Sequence, residues 1–322
     1  VRDGVTAEEV KGILLGMASG QETLLGYFRR FIRNFEKRVG INRTVGSLRA
    51  YSNAYSHIER FLQAQYKLSD IPFSALDRSF IDKYDLYLRT ERNLAPGTII
   101  NLTVQLKTIV GEAIADGIIT ASPFMGYEPM RPKHVQKYLT AEELHRIMTT
   151  PLHRQTLYHV RDMFLFSCFT GIPYGDMRLL TKDNLCLAED GIWWIKSARQ
   201  KTKIEFEIPL LDLPLQILKK YSGTAPGDKL LPMYCNSTLN LYLKEIARIC
   251  HIDRPLVFHA GRHTYATEIT LSHGVPLETV SRMLGHSQIE TTQIYAKVTD
   301  EKIDADTKAL NRKISERFSV VI

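Results

Sequence analysis

The chain has 322 residues, 44% hydrophobic and 24% charged, which excludes wholesale disorder and leaves enough apolar material for about two packed domains. No run of about 18 apolar residues occurs, which excludes a membrane-spanning helix, and Val1-Arg2-Asp3-Gly4 does not open a signal peptide. Forty-two basic against 35 acidic residues give a net charge of +7, which permits a polyanionic partner and fits an ordinary basic protein equally well. Cys168, Cys186, Cys235 and Cys250 form no Cys-x-x-Cys pair, and three lie in apolar segments. They read as reduced structural thiols of a cytoplasmic protein, not as a zinc ribbon or a disulfide scaffold.

The segment from Thr6 to Gly16 predicts a short helix attached to nothing, and residues 1–20 read as a linker left from a longer chain. Residues 21–122 predict a small bundle of amphipathic helices. Leu24, Leu25, Phe28, Phe31, Ile32 and Phe35 recur at helical spacing, as do Leu48, Tyr51, Tyr55, Ile58, Phe61 and Leu62. Phe80, Ile81, Tyr84, Leu86 and Leu88 mark a third helix, and Pro96 opens a fourth with Ile99, Leu102, Leu106, Ile109 and Val110. Early in this bundle Arg29, Arg30, Arg33, Lys37, Arg38, Arg43 and Arg49 face only Glu36. Such a run is either a solvated face or a surface that contacts phosphates.

Residues 123–137 break the helical pattern with Pro123, Gly126, Pro129 and Pro132, and carry Arg131, Lys133, His134 and Lys137. They predict an interdomain linker laid along a polyanion. A second domain, residues 138–322, opens with a capping box from Thr140 to Glu143. Val160–Phe169 predicts an apolar helix. Gly191–Ser197 and Ile204–Ile208 predict a hairpin, the second strand alternating Ile204, Phe206 and Ile208 with Glu205 and Glu207. Trp193 and Trp194 read as hairpin core. Helices are expected over Leu213–Tyr221, Thr238–His251, Arg262–Ser272, Pro276–Leu284 and Gln288–Val298. The fold class is therefore mainly α with a small β-hairpin or sheet.

The chemistry concentrates in Phe258-His-Ala-Gly-Arg-His263, Leu284-Gly-His-Ser287 and Gln293-Ile-Tyr-Ala296. His259 and Arg262 are three apart and share a helix face. Ser287 and Glu290 form a second capping box that puts Tyr295 two turns into a helix. Basic and imidazole groups beside a tyrosine suit attack on a phosphodiester. A phenol of pKa about 10 needs a base and a positive field, the transition state needs donors such as a forked arginine, and the leaving oxygen needs a proton that a lysine can give. A zinc reading of His259, His263 and His286 fails, since Arg262 between the first two would repel a cation. His263 reads instead as a packed histidine.

The His-x-x-Arg of His259 and Arg262, the Leu-Gly-His of His286 and the position of Tyr295 together resemble the tyrosine recombinase or phage-integrase family. The likeness covers the whole chain. The Arg-His-Thr-Tyr-Ala-Thr run from Arg262 and the Thr-Thr-Gln-Ile-Tyr-Ala-Lys run to Lys297 resemble the branch on conjugative transposons of Bacteroides-type bacteria. The resemblance implies a helical core-binding domain and a catalytic domain forming a C-shaped clamp on DNA, with residues 1–20 the remnant beside a removed arm-site-binding domain. It implies cleavage and rejoining of DNA through a 3′-phosphotyrosine and a Holliday junction, for integration or excision of a mobile element. Tyr295 would be the nucleophile and Arg262 the clamp on the non-bridging oxygens. His259 would take the phenol proton or position the phosphate, and His286 would add a donor. Lys201 in the hairpin turn would be the general acid, with Lys203 its rival.

No metal or cofactor is implied. The partners would be double-stranded crossover sites and accessory DNA-bending proteins, with a monomer in solution becoming a tetramer on synapsed duplexes, in the bacterial cytoplasm beside the nucleoid and away from membranes. Arg29, Arg30, Arg33, Arg43, Arg49, Lys133, Lys137 and Lys203 would contact DNA, and Phe318, Val320, Val321 and Ile322 of the tail would pack on a neighbouring protomer. One departure stands out: the family's first arginine follows a Thr-Gly-Leu stretch, and here Thr170-Gly-Ile is followed by Pro173. Arg199, two residues from Lys201 and on the same strand face, is the favoured substitute, and Arg178 the rival. A type IB topoisomerase-like relaxase, or a DNA-binding protein with impaired catalysis, are the alternatives.

Overall fold

The computed structural model describes residues 21–130, 137–295 and 300–315, together with Ala7, Val10 and Lys11. Most of the expected Thr6–Gly16 helix, Lys133, and the apolar end of the tail lie outside the described residues. The chain divides into two units, residues 1–134 and 135–322.

In the first unit the apolar spacing produces α1 (Leu24–Glu36), α2 (Val45–Phe61), α3 (Arg78–Thr90) and α4 (Pro96–Ala115). Local chemistry sets their starts. The Thr44 hydroxyl accepts from the Ser47 N–H, the Asp77 carboxylate accepts from the Phe80 N–H, and Pro96 occupies the first turn of α4, where its missing N–H costs nothing. Helix α1 is capped from a distance: Thr23 makes no side-chain cap, and Asp70 accepts from the N–H groups of Leu25 and Gly26 at 2.8 and 3.0 Å. Phe61 is fully buried at the centre, with ring centroids of Phe80, Tyr84 and Tyr87 5.1–5.3 Å away.

The second unit is built around α6 (Gln155–Thr170), preceded by α5 (Ala141–Thr149), whose Thr140–Glu143 capping box forms as expected. Helix α6 is apolar on nearly every face and is buried accordingly, with Val160, Met163, Phe164, Phe166 and Cys168 at 0% exposure. Three of its buried polar side chains are satisfied: Ser167 donates to the Ile172 carbonyl, Thr170 to the Phe166 carbonyl, and Asp162 accepts from Lys220 and Tyr221. Then follow the one-turn α7 (Tyr174–Met177), a sheet, α8 (Asp212–Lys220), α9 (Asn236–Ile249), α10 (Ala260–Thr264), α11 (Leu277–Leu284), α12 (Glu290–Gln293) and α13 (Asp300–Ser315).

The sheet has three antiparallel strands in the order β1 (Leu185–Leu187), β2 (Trp193–Ala198), β3 (Glu205–Pro209). The β2–β3 register pairs Ile195 with Ile208 and Ser197 with Phe206, which puts the apolar set of both strands on the core face. The sequence reading missed β1, which is only three residues long. It also placed both tryptophans in the core, whereas the period of two sends Trp193 to the packed face and leaves Trp194 half-exposed on the other.

Two expected helices are remodelled. Instead of one helix over Arg262–Ser272, α10 passes into a π-helical turn at Tyr265–Thr270 and a tight turn at Leu271–His273. Such widened turns gather at functional sites. The Ser287–Glu290 capping box does not form. Ile289 is the N-cap, α12 is one turn long, and Tyr295 follows it directly, its N–H bonded to the Thr292 carbonyl at 3.0 Å.

Phe61→Ala is expected to destabilise the first unit by about 3–5 kcal/mol, the cost of a large cavity in an aromatic core. Urea denaturation followed by circular dichroism measures it.

Candidate active site

The site gathers where three chain turns meet: the end of α6, the end of α11 and the start of α10. Gly171 ends α6 at φ 69°, and a Cβ there would meet Tyr265 at 2.5 Å, so only glycine turns the chain this tightly. Its carbonyl accepts from Arg262 Nη1 at 2.9 Å. Gly285 ends α11 at φ 62°, leaving the last carbonyl of the helix, that of Leu284, without an intrahelical partner. Two guanidinium groups use it: Arg262 Nη2 at 2.7 Å and Arg199 Nη1 at 2.9 Å.

Arg262 is 3% exposed. Burial, and then the neighbouring charge of Arg199, lowers its pKa to about 10, so it still carries its charge at neutral pH. Arg199 follows the last residue of β2. Its Nε lies 2.6 Å from the buried carboxylate of Asp176, an ion pair not aligned as a hydrogen bond. The same carboxylate accepts from the Gln200 N–H at 2.8 Å. Asp176 was not singled out by the sequence reading; its position three residues past Pro173 was the available signal.

The structure brings His286 and Tyr295 to this pair of arginines. Arg262 Nη2 lies 2.7 Å from His286 Nε2, and His286 Nδ1 lies 2.7 Å from Thr292 Oγ1. A guanidinium has no acceptor, so Nε2 accepts the bond and the imidazole is neutral. The resemblance made His286 a donor to phosphate; in this arrangement its Nε2 lone pair is committed to Arg262 instead. Burial, followed by the charges of Arg262 and Arg199, lowers its pKa to about 4.

The Tyr295 ring is 7% exposed and packs among Tyr265, Val280 and Leu284. It lies parallel to the His286 ring at 6.4 Å and edge-on to His263 at 5.2 Å. Its pKa is raised by burial, while Arg262, by charge and hydrogen bonding, and Arg199 pull the other way. The phenol is therefore protonated before a reaction begins. His263, expected merely to pack, does so between Tyr295 and His259 and so belongs to the site; desolvation, then His259, lowers its pKa to about 4.

His259 is the N-cap of α10 and exposed at the rim, yet enough of its ring is enclosed for desolvation to lower its pKa, with Arg262, Arg199 and Lys137 adding to the shift. Pro173, Tyr174, Asn236 and His259 line a hollow where the sequence pattern led us to look for an arginine.

Other expected residues lie apart. The strand ends at Ala198, and the turn closes with the Arg199 N–H on the Ile204 carbonyl and the Lys203 N–H on the Arg199 carbonyl. Lys201 therefore sits exposed in that turn and not on a strand face beside Arg199; Lys203 is exposed too, at φ 61°. Arg178 is exposed at the end of α7.

In the first unit Arg29 donates to the Tyr55 hydroxyl, Arg30 pairs with both oxygens of Glu22, and Arg43 lies over the Phe35 ring. Arg33 and Arg49, and Lys137 in the second unit, are exposed. Among the described residues no three His, Cys, Asp or Glu side chains converge as a metal site would need, and no helix is long and apolar enough to cross a membrane.

The chain belongs to the phage integrase family, the tyrosine recombinases: the family's sequence profile matches residues 137–302, and the phage integrase SAM-like domain profile matches residues 23–129. It is 25% identical to tyrosine recombinase XerD of Listeria monocytogenes over 273 residues, covering 80% of this chain and 89% of that protein. It is 26% identical to XerD of Staphylococcus saprophyticus over 297 residues, covering 88% and 96%. Among solved structures, the Tn1549 transposon integrase in complex with transposon right end DNA superposes with a TM-score of 0.70 at 18% identity, over 90% of this chain and 99% of that one. A lambda integrase dimer bound to a COC' core site gives 0.69 at 18% identity, over 87% and 100%. The mainly helical fold with its small antiparallel sheet is the fold of these integrases.

Two imidazoles held neutral down to about pH 4 make folding pH-dependent. On unfolding, His263 and His286 regain a pKa of about 6.5 and take up protons the folded unit does not bind. Stability of the second unit is expected to be complete above about pH 6.5 and to fall as the pH drops towards about 4. Thermal unfolding across this range checks it; His263→Gln with His286→Gln should flatten the slope.

Proposed function

We propose that the chain is a site-specific DNA recombinase that cuts and rejoins strands through a tyrosine–phosphate bond. The carrying observation is the convergence of Arg262, Arg199, His286 and Tyr295 on one buried, positively charged spot in a member of this family. A scissile phosphate entering the site meets the two guanidiniums, whose charge stabilises the added negative charge of the pentacoordinate transition state. Tyr295 attacks phosphorus and the 5′-oxygen leaves. His259, neutral and at the rim, receives the phenol proton. Lys201 protonates the leaving oxygen as the hairpin turn meets the DNA, with Lys203 as the alternative donor. The phosphoester bond energy is kept, so a second 5′-hydroxyl reverses the step on a partner strand, in a tetramer on two duplexes that passes through a Holliday junction.

Arg199 supplies the charge that Pro173 does not. Its support is the shared Leu284 carbonyl and its influence on Arg262, His286, His259 and Tyr295, none of which Arg178 has. Arg33, Arg43, Arg49, Lys133, Lys137 and Lys203 contact backbone phosphates, joined by Arg29 and Arg30 if their present partners release them. We divide the chain into a core-binding domain at 21–122, a linker at 123–137 and a catalytic domain at 138–322. We infer a mobile element of Bacteroides-type bacteria from the runs at Arg262–Thr267 and Thr291–Lys297, and action beside the nucleoid in the cytoplasm.

On nicked suicide duplexes carrying the junctions of the element that encodes it, the chain is expected to form a protein–DNA adduct that survives a denaturing gel, and Tyr295→Phe none. Tight binding without any adduct would overturn the proposal in favour of a DNA-binding protein without catalysis. In the same assay Arg199→Ala should slow adduct formation by about 10³-fold or more, as loss of a clamping arginine does elsewhere, while Arg178→Ala stays within about threefold.

A further inference from the structure

We propose that Thr292 is a positioning residue: one side chain and one carbonyl that lock the imidazole of His286 and the backbone of Tyr295 into a single arrangement with Arg262. The residue has no exposed surface. Its Oγ1 lies 2.7 Å from His286 Nδ1, its carbonyl accepts from the Tyr295 N–H at 3.0 Å, and its own N–H is fixed to the Ile289 carbonyl at 2.8 Å. On the far side of the ring, His286 Nε2 faces Arg262 Nη2 at 2.7 Å.

The protons on this chain follow from what each group can do. Arg262 only donates, so Nε2 carries no proton, the one ring proton sits on Nδ1, and the Thr292 hydroxyl is its acceptor. Arg262 thereby selects the tautomer, and Thr292 holds the ring by accepting its one proton. If the hydroxyl were replaced by a methyl group, the Nδ1–H would be buried without a partner, and the ring would gain by turning towards another acceptor or water. Arg262 Nη2 would then lose the Nε2 acceptor that aims it and keep the Leu284 carbonyl alone. The hydroxyl is two bonds from the main chain that sets the height of Tyr295, so the same residue spaces the tyrosine from the arginine. The consequence for catalysis rests on the proposed roles of Tyr295 and Arg262; the hold on the ring does not.

The test uses the full chain with Thr292→Val, which keeps the shape and removes the acceptor, Thr292→Ser, which keeps the acceptor, and Thr292→Ala as a second variant without it. Heteronuclear NMR of the imidazole nitrogens, with His286 assigned through His286→Gln, is expected to show an Nδ1–H protected from exchange with solvent in the wild type and Thr292→Ser. Thr292→Val and Thr292→Ala should show that proton exchanging about tenfold faster or more. Adduct formation on the suicide duplex should slow about tenfold in Thr292→Val and stay within about twofold in Thr292→Ser. Unchanged protection of the Nδ1–H in both variants lacking the hydroxyl overturns the proposal, as does Thr292→Ser being slowed as much as Thr292→Val, since the residue would then only fill space. If the wild type gives no adduct at all, the recombinase reading fails, and the NMR still decides the role of Thr292.

Discussion

A single backbone carbonyl, that of Leu284, receives two arginine side chains, and the site depends on it. Two like charges this close repel, and burial deepens the cost. They are tolerated because the acceptors are arranged around them: the negative end of α11, the Gly171 carbonyl and the Asp176 carboxylate. Both carbonyls become available only because the glycines at 171 and 285 turn the chain left-handed. The result is a buried patch of positive potential, already paired well enough to stand and still short of negative charge. In the proposed reaction an incoming phosphate supplies what is missing.

The histidines fit this field. Burial, with two guanidiniums beside His286 and with His259, Lys137 and Arg262 beside His263, keeps a second proton off both rings, so they stay neutral. A neutral ring next to Arg262 serves as an acceptor that aims the guanidinium. The tyrosine is subject to opposing pressures, burial holding its proton and the arginines drawing it off, with burial prevailing.

Long, strongly periodic helices were legible in the sequence. The four helices of the first unit follow from apolar spacing, and α5 from its capping box. Three-residue β1 carries too little pattern to be seen, and the break of α10 into a π-helical turn reflects tertiary contacts. The Ser287–Glu290 pair looked like a cap but sits two residues early for the helix that forms, whose N-cap is Ile289. The members of the site were legible as an ordered set, from His259 to Tyr295, while their couplings were not. Arg199 was named for sharing a strand face with Lys201, yet it reaches the site from beyond the strand end, held by Asp176. Asp176, His263 and Thr292 act through partners up to 32 residues away, as from His263 to Tyr295, and no local spacing announces such contacts.

On the proposed substitution of Arg199 for an arginine at position 173, a different part of the molecule carries the charge. At 173 it would belong to the junction of α6 and α7, next to the buried Thr170 and Ile172. At 199 it belongs to a six-residue hairpin turn that also carries Lys201 and is tied down through Asp176. On the roles proposed for Arg199 and Lys201, clamp and proton source then share one lever arm, and a displacement of that turn would withdraw both together.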